Sequence, residues 1–545
     1  MPGVTYERQT LLTSHGPVAL HIVLGPRPGG VLTLEPVLSN DIVPGSEPLT
    51  SIQRRLSPTA TSIGVNGDFT EKKGGPAGLV LRTGALQHGP LITRTSVGVD
   101  STGTLRAGRV QLLGTWQGSG PRRSLSVINE PPVGNQLGVF TPAWGPATPE
   151  ANGTVEVVVR PFPAAAPGKE LAGTVVGVAF GGGTAIPPDG AVLVARGSSA
   201  TNLRAEGITP GQAIKLRLIL KPDWAGVVDG VGGGPQLVRD GVAVFRPDEA
   251  FASADLLART ARSAVGQRGD GSILLVTVDG GRPGYSVGMT SFELAQALVR
   301  LGAIVAVGLG TGPSSGLAFE GTLLSRPVAA EAPITDALLF VYRGVYVPPL
   351  AGDTLSPNGD GVADTIGLAY KTVRPSQVTA TLAGADGQAR ITDQGARAAQ
   401  TYSFSWNGLT PAGTPDAEGL YRWTVTATDD LGRQSSMDRS FTLNRSLGAL
   451  RATAVLRTAP GKSQPVAAYD LSRPSHIFVT FLSPAGVVAA SLSLETIQPG
   501  HRIVSWNGRD RNGNPVAPGR YAIRVTVENE VGRTQATVPL VVRRT

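Results

Sequence analysis

The sequence contains no cysteine among its 545 residues. This absence excludes disulfide scaffolds, cysteine-ligated zinc sites and catalysis by a thiol nucleophile. Methionine and aromatic residues are also sparse, with 3 methionines and aromatic residues at 5% of the chain. Glycine and proline are abundant instead, with 72 and 43 residues spread along the sequence, which is typical of many turns between short strands.

A concentrated basic segment is also missing, although the formal net charge is +8. The lysines and arginines are scattered and do not alternate with aromatic residues, so we expect no nucleic-acid partner. The charge is compatible with anionic cell-wall polymers or phosphorylated glycans. The alternative is a slightly basic, solvated surface without a specific partner.

No apolar run is long enough to span a bilayer, so we expect no transmembrane segment. Residues 1–30 lack the basic start, apolar centre and small-residue cleavage site of a signal peptide. Either the protein is cytosolic or an export signal is missing from this sequence. We expect the second, and therefore an extracellular or cell-surface location.

The most informative stretch is residues 262–327, which alternates strand and helix signals. An apolar strand at 272–278 ends at Asp279-Gly280-Gly281, where the backbone is able to approach a ligand closely. Thr290 to Glu293 then forms a capping box that opens a helix ending at Gly302. A second strand at 304–309 leads into a Gly/Ser loop. Strand ends with small residues predict a binding or catalytic site.

Acidic and amide side chains follow two of the predicted strands. Asp279 is a candidate general acid or base, although an aspartate at a turn also stabilises backbone. Asn66 and Asp68 follow an apolar strand and project polar groups into a cleft, unless Asn-Gly here is only a turn. Glu293 is a second acidic candidate, but capping of the helix is its simpler role.

The order of the motifs over residues 1–345 resembles the phosphodiester glycosidase family, which includes the lysosomal uncovering enzyme. The resemblance rests on these segments: 66–69 (NGDF), 232–235 (GGGP), 262–266 (RSAVG), 279–280 (DG), 285–290 (YSVGMT), Ser314-Ser315 and 324–327 (LSRP). It implies an α/β domain, a sugar linked through a phosphodiester as substrate, and hydrolysis that releases the sugar. Carbohydrate or phosphorylated glycan is therefore the expected partner.

The resemblance also assigns residues, with some departures from the family pattern. The family's Asn and Asp of a second loop are Gly308 and Gly310 here, which removes a candidate acid, base or metal ligand. Either Asp68, Asp279 or Glu293 substitutes for them, or the protein is a poor or inactive enzyme that binds glycans. The expected substrate-binding residues are Asn66, Arg262, Gly280, Arg282, Ser286, Ser314 and Ser315, and the expected catalytic residues are Asp279 and Asp68.

Among these residues, Arg262 is the predicted phosphate partner, because a guanidinium matches phosphate as a bidentate fork. A surface salt bridge is the alternative for Arg262. The three serines are expected to hydrogen-bond sugar or phosphate, unless they only make their loops polar.

The last two hundred residues contain an internal repeat with a period of one hundred. Trp406-Asn407-Gly408 recurs as Trp506-Asn507-Gly508, and Tyr421 recurs as Tyr521, which indicates a domain duplication. Alternating short strands in each copy predict a β-sandwich. The pattern resembles the Ig-like domain of the flagellar-hook capping protein family, which serves as a spacer or adhesive module in exported bacterial proteins. We therefore expect a bacterial, secreted protein with cell-wall association.

Between the two regions, the spacing of Asn358, Asp360 and Asp364 resembles a calcium-binding loop. The first aspartate of such a loop is replaced by Ser356, and no bidentate glutamate follows. A turn that leads into the first sandwich is the alternative. Calcium is the one cofactor that the sequence suggests.

Taken together, the sequence predicts a multidomain α+β protein. A mixed α/β phosphodiester glycosidase-like domain covers residues 1–346, and two all-β Ig-like sandwiches cover 347–445 and 446–545. The predicted function is hydrolysis of a sugar-1-phosphodiester in extracellular or cell-wall glycan. The alternative is a catalytically inactive glycan-binding or surface-attachment protein on the same fold.

Overall fold

A computed structural model of the chain describes residues 1–71, 74–224, 226–245, 248–453, 455–458 and 462–544. Strands account for 51% of the structure and helices for 7%. The chain separates into two compact units, Met1–Arg343 and Gly344–Thr545. No helix within the described ranges combines the length and apolar character that crossing a membrane requires.

The first unit is built from short strands that follow each other in rapid succession. Its first strands are β1 (Thr5–Thr13), β2 (Gly16–Gly25), β3 (Leu32–Leu38), β4 (Glu47–Pro48), β5 (Thr61–Asn66), β6 (Val80–Arg82), β7 (Ala85–His88), β8 (Thr95–Asp100), β9 (Leu105–Arg109), β10 (Gln111–Gln117), β11 (Arg123–Leu125), β12 (Val127–Ile128) and β13 (Leu137–Phe140). They continue with β14 (Val155–Val159), β15 (Glu170–Phe180), β16 (Ala191–Ala195), β17 (Ala213–Lys221), β18 (Val227–Val231), β19 (Gln236–Arg239), β20 (Val242–Ala243), β21 (Arg262–Arg268), β22 (Ile273–Val278), β23 (Ala303–Thr311), β24 (Leu317–Phe319), β25 (Thr322–Leu323), β26 (Pro333–Ile334) and β27 (Asp336–Tyr342).

Four helices accompany these strands: α1 (Leu49–Leu56), α2 (Gly197–Ala205), α3 (Ser253–Leu257) and α4 (Ser291–Arg300). Short 3-10 turns lie at Ser39–Asp41 and Gly312–Ser314. The predicted start of α4 is confirmed, because the Thr290 side chain accepts the N–H of Glu293 while the Glu293 carboxylate accepts the N–H of Thr290. Glu293 is therefore a capping residue.

A seven-stranded antiparallel sheet forms the centre of the first unit, in the order β1-β2-β22-β21-β23-β19-β20. Successive residues of a strand point to opposite faces. One face carries Leu20, Ile22, Val276 and Val278, which pack in one core cluster with Leu294 of α4. The apolar stripe of α4 is thus buried against this face.

The α/β architecture expected for the N-terminal domain is not confirmed. The strand–helix–strand signal around α4 is real, since β22, α4 and β23 follow in that order. However, β21 lies between β22 and β23 and pairs antiparallel with both. The local signal therefore describes one crossover within a mainly antiparallel β unit.

A second sheet, in the order β25-β24-β5-β27-β3, packs against the opposite face of the first. All seven residues of β27 are buried. A Cβ added to Gly25 of β2 would lie 2.3 Å from a ring carbon of Phe340 on β27. Glycine at this position therefore allows the two sheets to approach closely.

The described residues of the first unit also form a two-stranded sheet of β26 and β4 and two larger sheets. Their orders are β7-β6-β18-β8-β9 and β11-β10-β17-β15-β14-β16-β13-β12. A large apolar cluster connects them, with residues such as Leu81, Trp116 and Leu216 fully buried.

The second unit continues the β architecture. Its strands are β28 (Thr354–Leu355), β29 (Ile366–Lys371), β30 (Ser376–Ala383), β31 (Ala389–Arg397), β32 (Thr401–Trp406), β33 (Gly419–Asp429), β34 (Gln434–Leu443), β35 (Arg451–Ala452), β36 (Val455–Thr458), β37 (Gln464–Leu471), β38 (Ser475–Leu482), β39 (Val488–Ile497), β40 (Gly500–Trp506), β41 (Gly519–Asn529) and β42 (Gly532–Arg544). Two five-stranded sheets, β28-β34-β33-β30-β31 and β36-β42-β41-β38-β39, repeat the same arrangement.

The predicted duplication is visible in individual hydrogen bonds. The indole N–H of Trp406 donates to the carbonyl of Leu409, and that of Trp506 donates to the carbonyl of Arg509. The hydroxyl of Tyr421 donates to a carbonyl four residues earlier, as does that of Tyr521. The hundred-residue period therefore repeats a local structure as well as a sequence.

A buried acidic pair lies where β5 and β27 meet in the first unit. The Oδ1 atom of Asp336, which is 0% exposed, accepts the backbone N–H of Asp68 at 3.0 Å. The Oδ2 atom of each aspartate has no hydrogen-bond partner among the described residues. Burial raises the pKa of both carboxyls, and the charge of Asp68 raises that of Asp336 further.

Replacement of Asp336 by asparagine should reduce the pH dependence of stability. Because the folded-state pKa of Asp336 is raised, its contribution to stability is greatest at low pH and is lost as pH rises above about 4, the pKa of an unfolded aspartate. Asparagine cannot ionise, so D336N should gain stability relative to wild type between pH 5 and pH 8. Each pH unit between the unfolded and the folded pKa adds about 1.4 kcal/mol to this gain, which urea unfolding measures.

The matched control is D240N, because Asp240 is exposed in a turn. The free energy of unfolding of D240N should change between pH 5 and pH 8 as that of the wild type does. Equal pH dependence in D336N and wild type would show that Asp336 is not the titrating group.

Candidate functional site

Asp279 lies immediately after β22 and is only 3% exposed. Its Oδ1 atom accepts the backbone N–H of Arg326 at 2.9 Å, and its Oδ2 atom accepts the hydroxyl of Tyr285 at 2.8 Å. Its backbone N–H donates to the carbonyl of Ala19 on β2. Three chain segments therefore fix the position of this carboxylate.

A histidine completes the surroundings of Asp279. His21 of β2 is 1% exposed, and its Nε2 atom lies 2.8 Å from Oδ2 of Asp279. Its Nδ1 atom lies 2.9 Å from the hydroxyl of Tyr6 on β1. With the proton on Nε2, the ring donates to Asp279 and accepts from Tyr6. Tyr6, His21, Asp279 and Tyr285 form one hydrogen-bonded chain, which we call the Asp279 relay.

Two arginines lie at the solvent side of the Asp279 relay. The guanidinium carbons of Arg8 and Arg326 are 5.3 Å and 5.0 Å from the centroid of the Tyr285 ring. Both side chains are exposed. No ion pair joins either guanidinium to a carboxylate within the part of the chain that the structure describes. This end of the relay is therefore positively charged.

Sequence reasoning missed most of the Asp279 relay. His21 carries one usable signal, because it is a polar residue within the otherwise apolar residues 18–24. Tyr285 and Arg326 lie inside segments that carry the family resemblance, although nothing else in the sequence marks them. Tyr6 and Arg8 lie on β1, whose alternating exposed polar residues are typical of any edge strand.

The residues around Asn66 form a second, separate network. Asn66 is fully buried; its Nδ2 atom donates to the carbonyl of Gly310 at 2.9 Å and its Oδ1 atom accepts the N–H of Gly316. A Cβ added to Gly310 would lie 2.8 Å from that Nδ2 atom. Gly308 and Gly310 thus lie on β23 rather than in the loop that the sequence predicts from residue 310. Asn66 joins the end of β5 to this strand, and a side chain at Gly310 would force the Asn66 amide to shift.

Asp68 belongs to this second network rather than to the Asp279 relay. Its Oδ1 atom accepts the N–H of Phe69 at 2.7 Å, and no hydrogen bond among the described residues links it to Asp279. Its Oδ2 atom faces the backbone at Gly232, where a Cβ would come within 2.2 Å. The two predicted catalytic aspartates are thus held in different surroundings.

The three predicted serines bind backbone groups. The Ser286 hydroxyl donates to the carbonyl of Asp279 at 2.5 Å and accepts the N–H of Ala19. Ser314 donates to the carbonyl of Thr311, and Ser315 donates to the carbonyl of Gly310. These contacts shape the two loops, and contact with substrate stays a prediction for all three.

The contacts of Arg262 do not support its predicted phosphate contact. Arg262 is 4% exposed, and its Nε atom donates to the carbonyl of Met289 at 2.7 Å. Its Nη2 atom donates to the carbonyls of Asp255 and Ala258. Burial lowers the pKa of Arg262 to about 10. The Arg262 side chain therefore links separate backbone segments. It does not form the surface salt bridge that was the alternative.

Gly280 and Arg282 have similar structural contacts. A Cβ on Gly280 would lie 2.3 Å from the backbone nitrogen of Ala261, so the turn packs tightly on β21. The Nη2 atom of Arg282 donates to the carbonyls of Pro327 and Val328 at 2.6 Å and 2.9 Å. This contact fastens the segment that follows Arg326 to the Asp279 turn.

The carboxylates of the predicted calcium loop accept backbone N–H groups of the same loop. Both carboxylate oxygens of Asp364 accept N–H groups, from Asn358, Gly359 and Gly361. Asp360 accepts an N–H two residues later through Oδ1. No cluster of three or more histidine or acidic side chains that suits a metal occurs among the described residues. These contacts match the turn alternative, while the Oδ2 atom of Asp360 has no hydrogen-bond partner among the described residues, and calcium binding stays a prediction.

Known families match both parts of the chain. The phosphodiester glycosidase family matches residues 168–341. The FlgD Ig-like domain family matches residues 352–430 and 456–530, one match in each repeat. No curated protein matches the chain.

Several solved structures are similar to the chain. A hypothetical protein from Synechocystis is 26% identical, with a TM-score of 0.52 over 62% of this chain, which spans 62% of that protein's length. A candidate exported protein from Burkholderia pseudomallei K96243 is 24% identical, with a TM-score of 0.48 over 59% of this chain and 74% of that one. The zebrafish N-acetylglucosamine-1-phosphodiester alpha-N-acetylglucosaminidase catalytic domain is 12% identical, with a TM-score of 0.34 over 63% of this chain and 84% of that one.

The family matches follow the order that the motifs predict. The chain carries a phosphodiester glycosidase region followed by two FlgD Ig-like domains.

Proposed function

We propose that this protein hydrolyses the bond between a sugar and a phosphodiester, at the Asp279 relay. The observation that carries the proposal is the combination of a buried carboxylate, bonded to His21 and Tyr285, with two exposed arginines beside it. The carboxylate is needed for acid–base chemistry at the anomeric carbon, and the arginines are needed to bind an anionic phosphate. The phosphodiester glycosidase match supports a carbohydrate-type substrate.

Arg8 and Arg326 take the phosphate role that the sequence assigns to Arg262. A guanidinium matches a phosphate group as a bidentate fork when its N–H groups are free to turn towards the ligand. Arg262 has its donors on backbone carbonyls, whereas the other two guanidinium groups reach solvent. Asp279 takes the proton-transfer role.

The protein is proposed to work outside the cell, on cell-wall or exopolysaccharide material. The two appended Ig-like domains support this setting, because such domains serve as spacers or adhesive modules in exported bacterial proteins. Fractionation of the native host should recover the protein from the envelope or the medium. Recovery from the cytoplasm alone would contradict the proposed setting.

A second candidate function is glycan binding without turnover. Gly308 and Gly310 of β23 favour it, because neither residue supplies a functional side chain. At Gly310 the Asn66 amide fills the space that a carboxylate would need. Under this alternative, the protein binds a phosphorylated glycan and releases no sugar.

Replacement of Asp279 by asparagine tests the enzyme directly. With an α-glycosyl phosphodiester substrate, kcat should fall by about 10²- to 10⁴-fold, because asparagine keeps the shape and cannot accept the proton. Release of free sugar is the measurement. The matched control is D270N, an exposed aspartate in the turn before β22. Equal turnover in wild type and D279N would contradict the role of Asp279, and binding without turnover in both would favour the second candidate.

Removal of either exposed arginine should weaken substrate binding. For R8A and R326A, we expect KM to rise about tenfold or more, because each loses a charge-assisted hydrogen bond worth about 1.5–3 kcal/mol. The loss should shrink at high ionic strength, since salt screens exposed charges. R300A, on the exposed end of α4, is the control. Unchanged KM in both variants would place the phosphate elsewhere.

A further inference from the structure

Asp279 has no direct path to a sugar. Only 3% of the residue is exposed, and its oxygens receive the Tyr285 hydroxyl, the His21 ring and the backbone N–H of Arg326. A carboxylate that attacks or protonates a substrate must come within hydrogen-bond distance of it. If Asp279 moves a proton in the proposed reaction, a neighbouring side chain has to carry the chemistry to the substrate.

Tyr285 is the neighbour that fits. Its hydroxyl donates directly to Oδ2 of Asp279 at 2.8 Å, while its side chain is only half-buried. The guanidinium groups of Arg8 and Arg326 lie beside its ring, so a phosphate bound by these arginines would be held next to the phenol. Tyr6 is the other phenol of the relay, but His21 separates it from Asp279.

The charge of the substrate favours a phenol over a carboxylate as the attacking group. In a sugar-1-phosphodiester, the negative phosphate is bonded directly to the reacting carbon. A carboxylate approaching that carbon meets the phosphate charge at short range, where repulsion is strong. A neutral tyrosine avoids this repulsion, and sialidases, whose substrates are anionic, also use a tyrosine nucleophile.

An adjacent base is required for such a nucleophile. Burial, together with the hydrogen bond to Asp279, raises the pKa of Tyr285, so the phenol keeps its proton in the resting enzyme. Asp279 is positioned to remove that proton as the bond to the sugar forms. The ring of His21 contacts the same Oδ2 atom of Asp279, which makes His21 a positioning residue.

Resting on the proposed function, we propose that Tyr285 is the nucleophile and forms a covalent glycosyl–tyrosine intermediate. The phenol oxygen attacks the anomeric carbon, and its proton passes to Oδ2 of Asp279. The bond between that carbon and the phosphate oxygen breaks, and its electron pair leaves with the phosphate. Arg8 and Arg326 stabilise the extra charge on the departing phosphate monoester.

Water completes the reaction. It attacks the anomeric carbon, the bond to the phenol oxygen breaks, and Tyr285 takes back the proton held by Asp279. The proton lost by the water leaves to solvent. Two displacements at one carbon give a free sugar with the anomeric configuration of the substrate.

The first experiment compares Y285F with wild type on an α-glycosyl phosphodiester. Phenylalanine keeps the ring between the arginines and removes only the hydroxyl, so kcat should fall about a thousandfold while KM changes little. Y402F removes a phenol that belongs to the second unit and should retain wild-type turnover. Circular dichroism and the unfolding midpoint report whether Y285F is folded.

The second experiment uses the wild type and does not depend on a variant. NMR of the first-formed sugar should show retained configuration. A 2-deoxy-2-fluoro glycosyl fluoride should inactivate the enzyme, and peptide mass spectrometry should find the label on Tyr285. Inverted product, a label on Asp68 or Asp279, or loss of activity in Y6F with full activity in Y285F would each overturn the assignment. Absence of turnover by the wild type would overturn the proposed function as well, so the two failures are distinguishable.

Discussion

The pairing of β2 with β22 is the contact on which the candidate site depends. This pairing places His21 opposite Thr277, the residue before the last residue of β22. The His21 ring therefore contacts Asp279, which lies 258 positions later in the sequence. The same hairpin of β1 and β2 carries Tyr6 and Arg8 on the side of the sheet that His21 occupies. One antiparallel register therefore assembles an acid, an imidazole, a phenol and a guanidinium from the two ends of the first unit.

That register is set by burial rather than by the polar residues themselves. Leu20 and Ile22 alternate with Ala19 and His21 along β2, and the apolar set packs on α4. A slip of one residue would move the apolar set away from α4 and place His21 on the helix side. The hydrophobic pattern thus fixes the geometry of the relay, and the hydrogen bonds then satisfy the polar groups that this pattern leaves buried.

The features that sequence could predict are the local ones. The capping box at Thr290, the strand before Asp279 and the repeat of Trp406 as Trp506 each depend on residues close together in sequence, or on a fixed period. The α/β expectation was not confirmed because a strand–helix–strand signal does not reveal whether another strand lies between the two strands in the sheet. Here β21 lies between β22 and β23, although it is contiguous in sequence with neither α4 nor β23.

The residues of the site were harder to predict because a residue type does not reveal exposure. Arg262 and Arg326 both lie in segments that match the family pattern, and both carry the same charged group. Arg262 is buried and donates to the carbonyls of Met289, Asp255 and Ala258. Arg326 has its guanidinium exposed to solvent. The sequence predicts an arginine as the phosphate ligand, and only the fold shows which of the two guanidinium groups is exposed.

The surroundings of Gly310 leave little space for a side chain. A Cβ at Gly310 would lie 2.8 Å from the amide of Asn66 and 3.0 Å from the carbonyl of Asp68, so a side chain there would force these groups to shift. Gly310 lies on β23 of the seven-stranded sheet, and its backbone N–H donates to the carbonyl of Gly67, which follows β5. The proposed acid–base chemistry needs a carboxylate that is connected to solvent. Asp279 meets that requirement through the phenol of Tyr285, whereas Asp68 points its unpartnered oxygen at backbone.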